Sequence, residues 1–424
     1  MNLRQAMSRF QNTIYARAVR HGLTLAIPFL IMGSFALLLT NFPLGVYQDF
    51  IRTWMNGAAS AILETLYQIS LGSLALVLTV TISISYGHLT ETDQLFLYPI
   101  VAVCSYLAFC GGIENQSDYI FNAEWVFTAM VITLLSCVLF HKILKLGHRF
   151  ERLHTTGADY LFNISIQCLI PVILVSLFFA VTGYVLRVAW DSSNITNFGS
   201  YLFLKLFDKI SGNLFGILLY VVMTHLLWCM GIHGTNTLEA VSRHLFEQNV
   251  EINQSLVLAG HIPTEIFSKT FLDTFVFIGG CGTALSFVLA LYIASKQSHN
   301  RKMSFVALPS ALFNISEIAV FGFPIIFNLT MLIPFILTPV ILTLISASAI
   351  KAGLVPAVTQ SVEWTIPVLL SGYQATGSVS GSLLQLFNLL VGVFIYMPFV
   401  RRSEKQETGK FKQAVRQMEQ DMAA

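Results

Sequence analysis

Long apolar segments follow one another through the first half of the chain, and they restrict its fold more than any motif does. They cover about residues 23–41, 66–86, 95–111, 124–144 and 165–187. A helix needs roughly 20 apolar residues to cross the hydrocarbon core of a bilayer. Charged residues make up 11% of the 424 positions, against about 25% in an average soluble domain. The sequence therefore predicts an all-α polytopic membrane protein of about ten transmembrane helices.

The apolar segments of the second half are less regular. They cover about residues 213–232, 275–295, 305–327, 329–350 and 383–400, and glycine, proline and polar residues interrupt them. Irregular backbone at membrane depth is tolerated only where protein or a water-filled cavity satisfies its hydrogen bonds. Transporters use such discontinuous helices to build substrate sites near the bilayer midplane. We therefore expect the first half to be scaffold and the second half to handle the substrate.

The distribution of Lys and Arg predicts the orientation. Cytoplasmic loops of membrane proteins are enriched in these residues. Basic clusters precede the first apolar segment, follow the fourth, and recur near residues 296–302 and 401–405, whereas residues 111–124 contain no Lys or Arg. Both termini are therefore expected in the cytoplasm.

Four regions are predicted along the chain. Residues 1–22 form a cytoplasmic amphipathic segment, 23–190 the N-terminal transmembrane scaffold, 191–400 the C-terminal substrate-binding region, and 401–424 a cytoplasmic tail. Apolar residues recur at helical spacing in the tail; they are Phe411, Val415, Met418 and Met422. This stripe can dock on the protein itself, bind a partner or lead into a further segment.

Several site classes find no support in the sequence. The net charge of +2 does not favour nucleic acid, and the six cysteines form no Cys-x-x-Cys pair. We expect the cysteines to be buried as small hydrophobic residues. No metal site or cofactor is predicted.

An ionisable residue within membrane-grade sequence is a functional candidate because its burial is costly. Glu317 follows Asn314 by three positions and precedes an apolar run to residue 327. On a short helix the two would share a face. A carboxylate beside an amide can bind the hydroxyl groups of a sugar. A structural ion pair or a capped hairpin is the alternative interpretation of Glu317.

A second candidate is His233, which lies between Gly231 and Gly234 and is followed by Asn236. The glycines permit a tight backbone and close approach of a ligand. The imidazole can both donate and accept a hydrogen bond. A histidine satisfied by a backbone carbonyl is the structural alternative. A metal role is not indicated, because no second ligand stands at a suitable spacing.

Two further segments carry candidate substrate contacts. Gly279 and Gly280 belong to a glycine cluster behind Asp273, and this cluster indicates either close helix packing or an opened helix beside the substrate. Trp364 and Thr365 combine an aromatic surface with a hydroxyl group. The tryptophan could stack on a pyranose ring or anchor a membrane interface.

The same segments, in this order, resemble the enzyme IIC permeases of the lactose, cellobiose and diacetylchitobiose branch of the sugar phosphotransferase system (PTS). The resemblance covers nearly the whole chain. It rests on these stretches: Arg20-His21-Gly22, Asn41-Phe42-Pro43, Gly231-Ile232-His233-Gly234, Gly279-Gly280-Cys281-Gly282-Thr283, Phe313-Asn314-Ile315-Ser316-Glu317, Phe321-Gly322-Phe323-Pro324, Trp364-Thr365, Thr376-Gly377 and Leu384-Gln385-Leu386 with Asn388.

The resemblance implies a homodimer in the bacterial inner membrane, with ten helices and two re-entrant hairpins in each subunit. It implies a bound β-linked disaccharide whose 6-hydroxyl is phosphorylated by a separate phosphorylated IIB subunit. Glu317 and His233 would act at that hydroxyl, Glu317 as proton acceptor and His233 in orienting it. Gly234, Asn236, Gly279, Gly280, Asn314, Trp364 and Thr365 would contact the sugar.

This chain departs from the family pattern at two places. Ser316-Glu317-Ile318 stands where the family usually has Asn-Glu-Pro, and Asn328-Leu329 where it usually has Asn-Pro. The departures leave open the identity of the sugar and a role as a membrane sugar sensor without transport. An ion-coupled sugar transporter is a further alternative, with Glu317 or Asp273 as proton carrier. Whether the chain counts as an enzyme depends on the IIB subunit that supplies the phosphate.

Overall fold

The structure is a computed structural model that describes residues 9–42, 45–92, 94–112, 118–146, 159–189, 198–207, 210, 212–323, 325–326 and 328–423. In this part of the chain all regular structure is helical and there is no strand. The helices are α1 (Ile14–Thr40), α2 (Gly45–Thr53), α3 (Ala58–Gln68), α4 (Leu74–Leu89), α5 (Leu97–Cys110), α6 (Val126–Lys145), α7 (Tyr160–Ala189), α8 (Phe198–Phe207), α9 (Leu214–Cys229), α10 (Gly234–Thr237), α11 (Glu239–Ser242), α12 (Gln248–Leu258), α13 (Lys269–Phe271), α14 (Ala284–Ala294), α15 (Ser298–Leu312), α16 (Glu317–Gly322), α17 (Leu329–Lys351), α18 (Leu370–Thr376) and α19 (Val379–Ala423). Short 3-10 turns lie at Trp54–Gly57, Asp118–Phe121 and Ala123–Trp125, and π-helical turns at Arg243–Glu247 and Leu272–Val276.

Five of the described helices are long and apolar enough to cross a bilayer. They span Ile14–Thr40, Ala123–Lys145, Tyr160–Val188, Leu329–Lys351 and Val379–Gln406. Four shorter apolar helices accompany them, namely α4, α5, α9 and α14. The predicted class, an all-helical membrane protein, is confirmed. The number of crossings and the two re-entrant hairpins remain predictions.

Three predicted apolar segments are divided in the structure. The segment at 66–86 is split between α3 and α4, and Ser73 Oγ donates to the Gln68 carbonyl at 2.7 Å where α3 ends. The segment at 275–295 opens between Val276 and Ala284, and the segment at 305–327 opens between α15 and α16. Hydropathy alone does not locate these breaks, because the residues on both sides are apolar.

The chain forms two compact units. The first comprises Met1–Gly33, Thr65–Asp208 and Gly231–Leu238. Small residues let its helices pack closely: a Cβ atom on Gly22 would lie 2.6 Å from Ile82 Cγ1, and one on Gly183 would lie 2.2 Å from the Phe109 carbonyl oxygen. Arg187 Nη1 donates to that carbonyl at 2.6 Å and so caps the end of α5.

Helix α7 of the first unit shows one broad apolar face to its surroundings. Ile173, Leu177, Val181 and Val185 are each at least half exposed. A water-facing helix would carry polar residues there, so this face suits lipid or another apolar protein surface.

The second unit comprises Ser34–Glu64, Lys209–Met230 and Glu239–Ala424. Helices α17 and α19 pack against each other; α17 also packs against α9, and α19 against α14. Large aromatic side chains fill the space between them; Phe287, Phe335 and Tyr396 are each less than 3% exposed. Around this core the chain is repeatedly non-helical, and these openings contain most of the predicted site.

Both predicted terminal segments lie partly outside the described residues. Residues 1–8 are not described, and residues 14–22 form the first turns of α1. The tail continues α19 to Ala423, but the side chains of residues 410–424, and with them the apolar stripe, lie outside the description. Of the six cysteines, Cys104 is exposed and the others are buried.

Candidate functional site

The glycine cluster of the second unit is an opened stretch of chain between the π-helical turn at Leu272–Val276 and α14. Gly279, Gly280 and Gly282 have φ of 81°, 92° and 72°, a region that favours glycine. The space beside them is also filled: a Cβ on Gly280 would lie 2.6 Å from the Asn314 carbonyl oxygen, and one on Gly282 would lie 2.0 Å from Phe335 Cε2. The backbone of the cluster is therefore opened and closely packed at once, and its position beside the substrate stays a prediction.

Buried side chains satisfy the backbone of this opened stretch. His225, fully buried on α9, accepts a hydrogen bond from the Gly282 N–H on its Nε2 at 2.8 Å. Its Nδ1 lies 2.6 Å from the Val221 carbonyl oxygen, which requires the proton on Nδ1 and leaves Nε2 to accept. The Tyr396 hydroxyl donates to the Gly282 carbonyl. The irregular backbone thus has protein partners, as a low-dielectric environment requires.

Asn314 joins three of the predicted segments. Its Oδ1 accepts a hydrogen bond from the Gly279 N–H at 2.7 Å. Its Nδ2 donates to the carbonyls of Trp364 at 2.6 Å and Ile366 at 3.1 Å. The residue is 9% exposed and has a φ of 62°, which asparagine tolerates better than most residues. One amide group therefore fixes the glycine cluster and the Trp364 segment to the turn that precedes Glu317.

Glu317 is the first residue of α16 and is half-buried. A carboxylate in the first turn of a helix interacts favourably with the helix dipole. The expectation that Asn314 and Glu317 share one helix face is wrong, because Asn314 lies in the turn before α16, with a positive φ. Asn314 thus lies in the short non-helical connection between α15 and α16, and Glu317 begins the helix that follows it.

Trp364 and Thr365 lie in the non-helical segment that precedes α18. The Trp364 carbonyl is held by Asn314, while the residue as a whole is 40% exposed. Thr365 is buried. The segment thus presents a partly accessible indole on a backbone that is fixed in place.

A second buried amide holds the end of this segment. Gln385 of α19 accepts on Oε1 from the N–H groups of Leu369 and Gly372, both at 2.8 Å. Its Nε2 donates to the Thr274 carbonyl at 2.7 Å and to Ser371 Oγ at 2.8 Å. Leu369 has a φ of 76°, so this turn is strained and depends on its partners.

Three buried polar residues hydrogen-bond to distant backbone groups, although the sequence alone indicated no role for them. Asn388 Nδ2 donates to the Phe275 carbonyl at 2.9 Å. Asn253 Nδ2 donates to the Glu265 carbonyl at 2.7 Å and to the Val358 carbonyl at 2.9 Å, and so connects two segments that are far apart in sequence. His225 is the third. The signal in each case is a lone amide or imidazole within apolar sequence, which must find backbone partners when it is buried.

His233, Gly234 and Asn236 belong to the first unit. His233 is the N-cap of α10, and its Nδ1 accepts from the Asn236 N–H at 3.3 Å, with Thr235 Oγ1 at 3.2 Å. An accepting Nδ1 leaves the proton of the neutral ring on Nε2. His233 is 9% exposed and Gly234 is buried. The loop therefore fixes the ring orientation and makes Nε2 a hydrogen-bond donor.

Asp273, the alternative proton carrier, is engaged in an ion pair. Its Oδ2 lies 3.5 Å from Lys269 Nζ, and its side chain is 22% exposed. Among the described residues no group of three or more His, Cys, Asp or Glu side chains could hold a metal ion.

Comparison with known proteins agrees with this architecture. The family described as "Phosphotransferase system, EIIC" matches residues 20–339. The lichenan permease IIC component of Bacillus subtilis (strain 168) is 28% identical over 410 residues, which cover 93% of this chain and 90% of the relative. The cellobiose-specific EIIC component of Geobacillus stearothermophilus is 26% identical over 420 residues, with coverages of 93% and 91%.

A solved structure has a similar fold. The crystal structure of the transporter ChbC, the IIC component from the N,N'-diacetylchitobiose-specific phosphotransferase system, aligns with a TM-score of 0.50 at 24% identity, covering 97% of this chain and 98% of that one. At this identity the likeness concerns the fold alone. Because the family match covers well over half of its length, the chain belongs to the phosphotransferase system EIIC family.

Proposed function

We propose that this membrane protein binds and translocates a β-linked disaccharide and presents its 6-hydroxyl to a separate phosphorylated IIB subunit. EIIC permeases of this family work with a sugar substrate and an IIB subunit. Two relatives are named for cellobiose and lichenan, and cellobiose is a β-linked disaccharide. Their similarity supports a substrate of this class, and Trp364 offers a surface that could stack on its ring.

The observation that carries the proposal is the position of Asn314 between the glycine cluster and the Trp364 segment. Its three hydrogen bonds, at 2.6–3.1 Å, hold these two segments at the turn that leads to Glu317. A site of this kind needs its backbone fixed before the ligand arrives, because ordering it on binding would reduce affinity. Gly279, Gly280 and Thr365 would contribute backbone or hydroxyl contacts to the sugar beside Trp364.

The chemical roles are assigned by residue type. Glu317 would accept the proton of the 6-hydroxyl as the phosphoryl group is transferred from IIB, which makes the hydroxyl oxygen a better nucleophile. His233 would donate a hydrogen bond to the sugar from Nε2, since Nδ1 already accepts one from the Asn236 N–H. Gly234 and Asn236 would support that loop. We further propose a homodimer in the bacterial inner membrane with both termini in the cytoplasm.

The test is phosphoenolpyruvate-dependent phosphorylation of a panel of β-disaccharides and their amino-sugar analogues. Membranes containing the wild type, Glu317→Gln, His233→Ala or the control Glu251→Gln are supplied with a cognate IIB and the general phosphotransferase proteins. Glu251 is an exposed carboxylate on α12, so Glu251→Gln makes the same chemical change at another place. The proposal expects a sugar 6-phosphate from the wild type and the control, and a large loss in the other two variants.

The alternatives give different results. A sugar that binds without being phosphorylated would identify a membrane sugar sensor. Uptake of unmodified sugar that depends on a proton gradient would identify an ion-coupled transporter.

A further inference from the structure

A pocket lies in the second unit beside the junction of α14 and α15. Its volume is about 530 Å³, and its lining includes three cationic side chains, Lys296, Arg301 and Lys302. All three residues are exposed. Tyr292 and Phe305 form the apolar part of the lining. None of the residues that line this pocket is among those proposed to contact the sugar.

Within the part of the chain that the structure describes, no acidic side chain pairs with the cations of this pocket. Among the described residues no carboxylate lies within 4.0 Å of the cationic groups of Lys296, Arg301 or Lys302, since the ion pairs found there involve other residues. Arg301 uses Nε to hold the Ser295 carbonyl at 2.8 Å. Three cations gathered around one concavity repel one another, so an anion that enters it gains stability from all three.

The carboxylate of Glu404 is already engaged by the residues around this loop. Glu404 of α19 is 8% exposed and accepts hydrogen bonds from the Lys296 N–H at 3.1 Å, from Asn300 Nδ2 at 2.9 Å and from the hydroxyl of Ser295. These bonds fix the loop between α14 and α15. Lys296 is therefore presented on a loop that is held in place, and Arg301 and Lys302 on the first turns of α15.

The walls of the pocket are those of a lipid-facing surface. Tyr292 and Phe305 are 58% and 71% exposed, and Ile293 next to Tyr292 is 57% exposed. They lie on α14 and α15, in apolar stretches on either side of the basic residues 296–302. Large exposed apolar groups next to basic residues match a membrane interface. There, acyl chains contact the apolar groups and phosphate groups contact the basic residues.

We propose that this pocket binds the headgroup of an anionic phospholipid, with the acyl chains lying along the exposed apolar faces of α14 and α15. The phosphate would accept hydrogen bonds from Lys296, Arg301 and Lys302, and Tyr292 and Phe305 would contact the upper part of the chains. Basic pockets between transmembrane helices recognise anionic headgroups in this way.

The test is native mass spectrometry of the full-length protein in detergent, titrated with phosphatidylglycerol or with phosphatidylcholine of the same acyl chains. The variant is Lys296→Gln/Lys302→Gln, which keeps Arg301 because that residue also holds the loop. The control is Lys142→Gln/Lys145→Gln, which removes two exposed lysines at the end of α6. Gel filtration checks folding, and Lys302→Gln alone carries the test if the double variant does not fold.

The proposal expects the wild type and the control to retain phosphatidylglycerol in preference to phosphatidylcholine. The double variant should bind phosphatidylglycerol at least about 10-fold more weakly, given the contribution of each lysine near an anionic headgroup. Salt should weaken wild-type binding. Inorganic phosphate at millimolar concentration should not displace the lipid, because it lacks the acyl chains.

Three results would overturn the proposal. Equal retention by the wild type and the variants would mean that the pocket is not the lipid site. Complete displacement by inorganic phosphate would identify a site for a free anion. Loss of binding to purified IIB in the double variant, with lipid retention unchanged, would identify a protein-docking surface.

Discussion

The side-chain oxygen of Asn314 accepts a hydrogen bond from the backbone N–H of Gly279 at 2.7 Å, across 35 positions of sequence. Since the amide nitrogen of the same side chain holds the carbonyls of Trp364 and Ile366, the two ends of one amide connect three separate segments. A carboxamide carries both an acceptor oxygen and two N–H donors, so one side chain can serve all three backbone groups.

The first prediction concerns the donor end of that amide. Asn314→Asp keeps an acceptor for the Gly279 N–H but places a carboxylate against the carbonyl oxygens of Trp364 and Ile366. We expect a loss of about 2–4 kcal/mol of stability, since two buried acceptors lose their donor. The melting temperature in detergent and the affinity for sugar should both fall. Asn12→Asp, at an exposed position, is the control, and an unchanged Asn314→Asp protein would contradict the assigned hydrogen bonds.

The second prediction uses a pair of glycines with the same backbone conformation. Gly282 and Gly353 both have a φ of 72°, but a Cβ on Gly282 would lie 2.0 Å from Phe335 Cε2, whereas one on Gly353 meets nothing within 4 Å. Gly353→Ala should cost about 1 kcal/mol, from backbone strain alone. Gly282→Ala should cost about 1–3 kcal/mol more, from overpacking. Thermal unfolding of the two variants measures the difference, and equal melting temperatures would contradict the packing of Phe335 on Gly282.

The third prediction concerns Gln385, which accepts from two backbone N–H groups and donates to two oxygens. Gln385→Leu should destabilise the protein by about 2–5 kcal/mol, because the N–H groups of Leu369 and Gly372 lose their acceptor. Gln385→Glu retains an acceptor for these two N–H groups, so the part of the stability that depends on them should fall less than in Gln385→Leu. Hydrogen exchange at Leu369 and Gly372 distinguishes the variants. Faster exchange in Gln385→Leu than in Gln385→Glu is the expected order, and the reverse order would refute it.

The fourth prediction separates the indole of Trp364 from its backbone. Because Asn314 binds the carbonyl and the residue is 40% exposed, Trp364→Leu should leave the fold intact and lower sugar affinity by about 10-fold, the range of an aromatic contact. Trp364→Phe keeps an aromatic ring and should lower the sugar affinity less than Trp364→Leu does. Trp54, 49% exposed in the same unit, provides the control Trp54→Leu. Calorimetric titration measures the affinities, and equal affinities in all four proteins would remove Trp364 from the site.

Much of the candidate site was visible in the sequence. Glycine clusters, Asn314 and Trp364 stand out because polar and flexible residues are rare within apolar segments, and each must have a structural or functional reason to be there. Which partners they have was not visible. The spacing of Asn314 and Glu317 indicated a common helix face, whereas a positive φ at Asn314 places it in a turn. Hydrogen bonds across 35 or 50 positions do not follow from local spacing.

By itself the sequence determined that the protein is helical and belongs in a membrane. Apolar runs of bilayer length and few charges leave no other way to satisfy the backbone, because a helix forms its hydrogen bonds within one segment. Only the tertiary structure decided where the helices open and what holds the openings. Those backbone groups find partners such as His225, Gln385 and Asn388 on distant segments, and such pairings depend on how the helices pack.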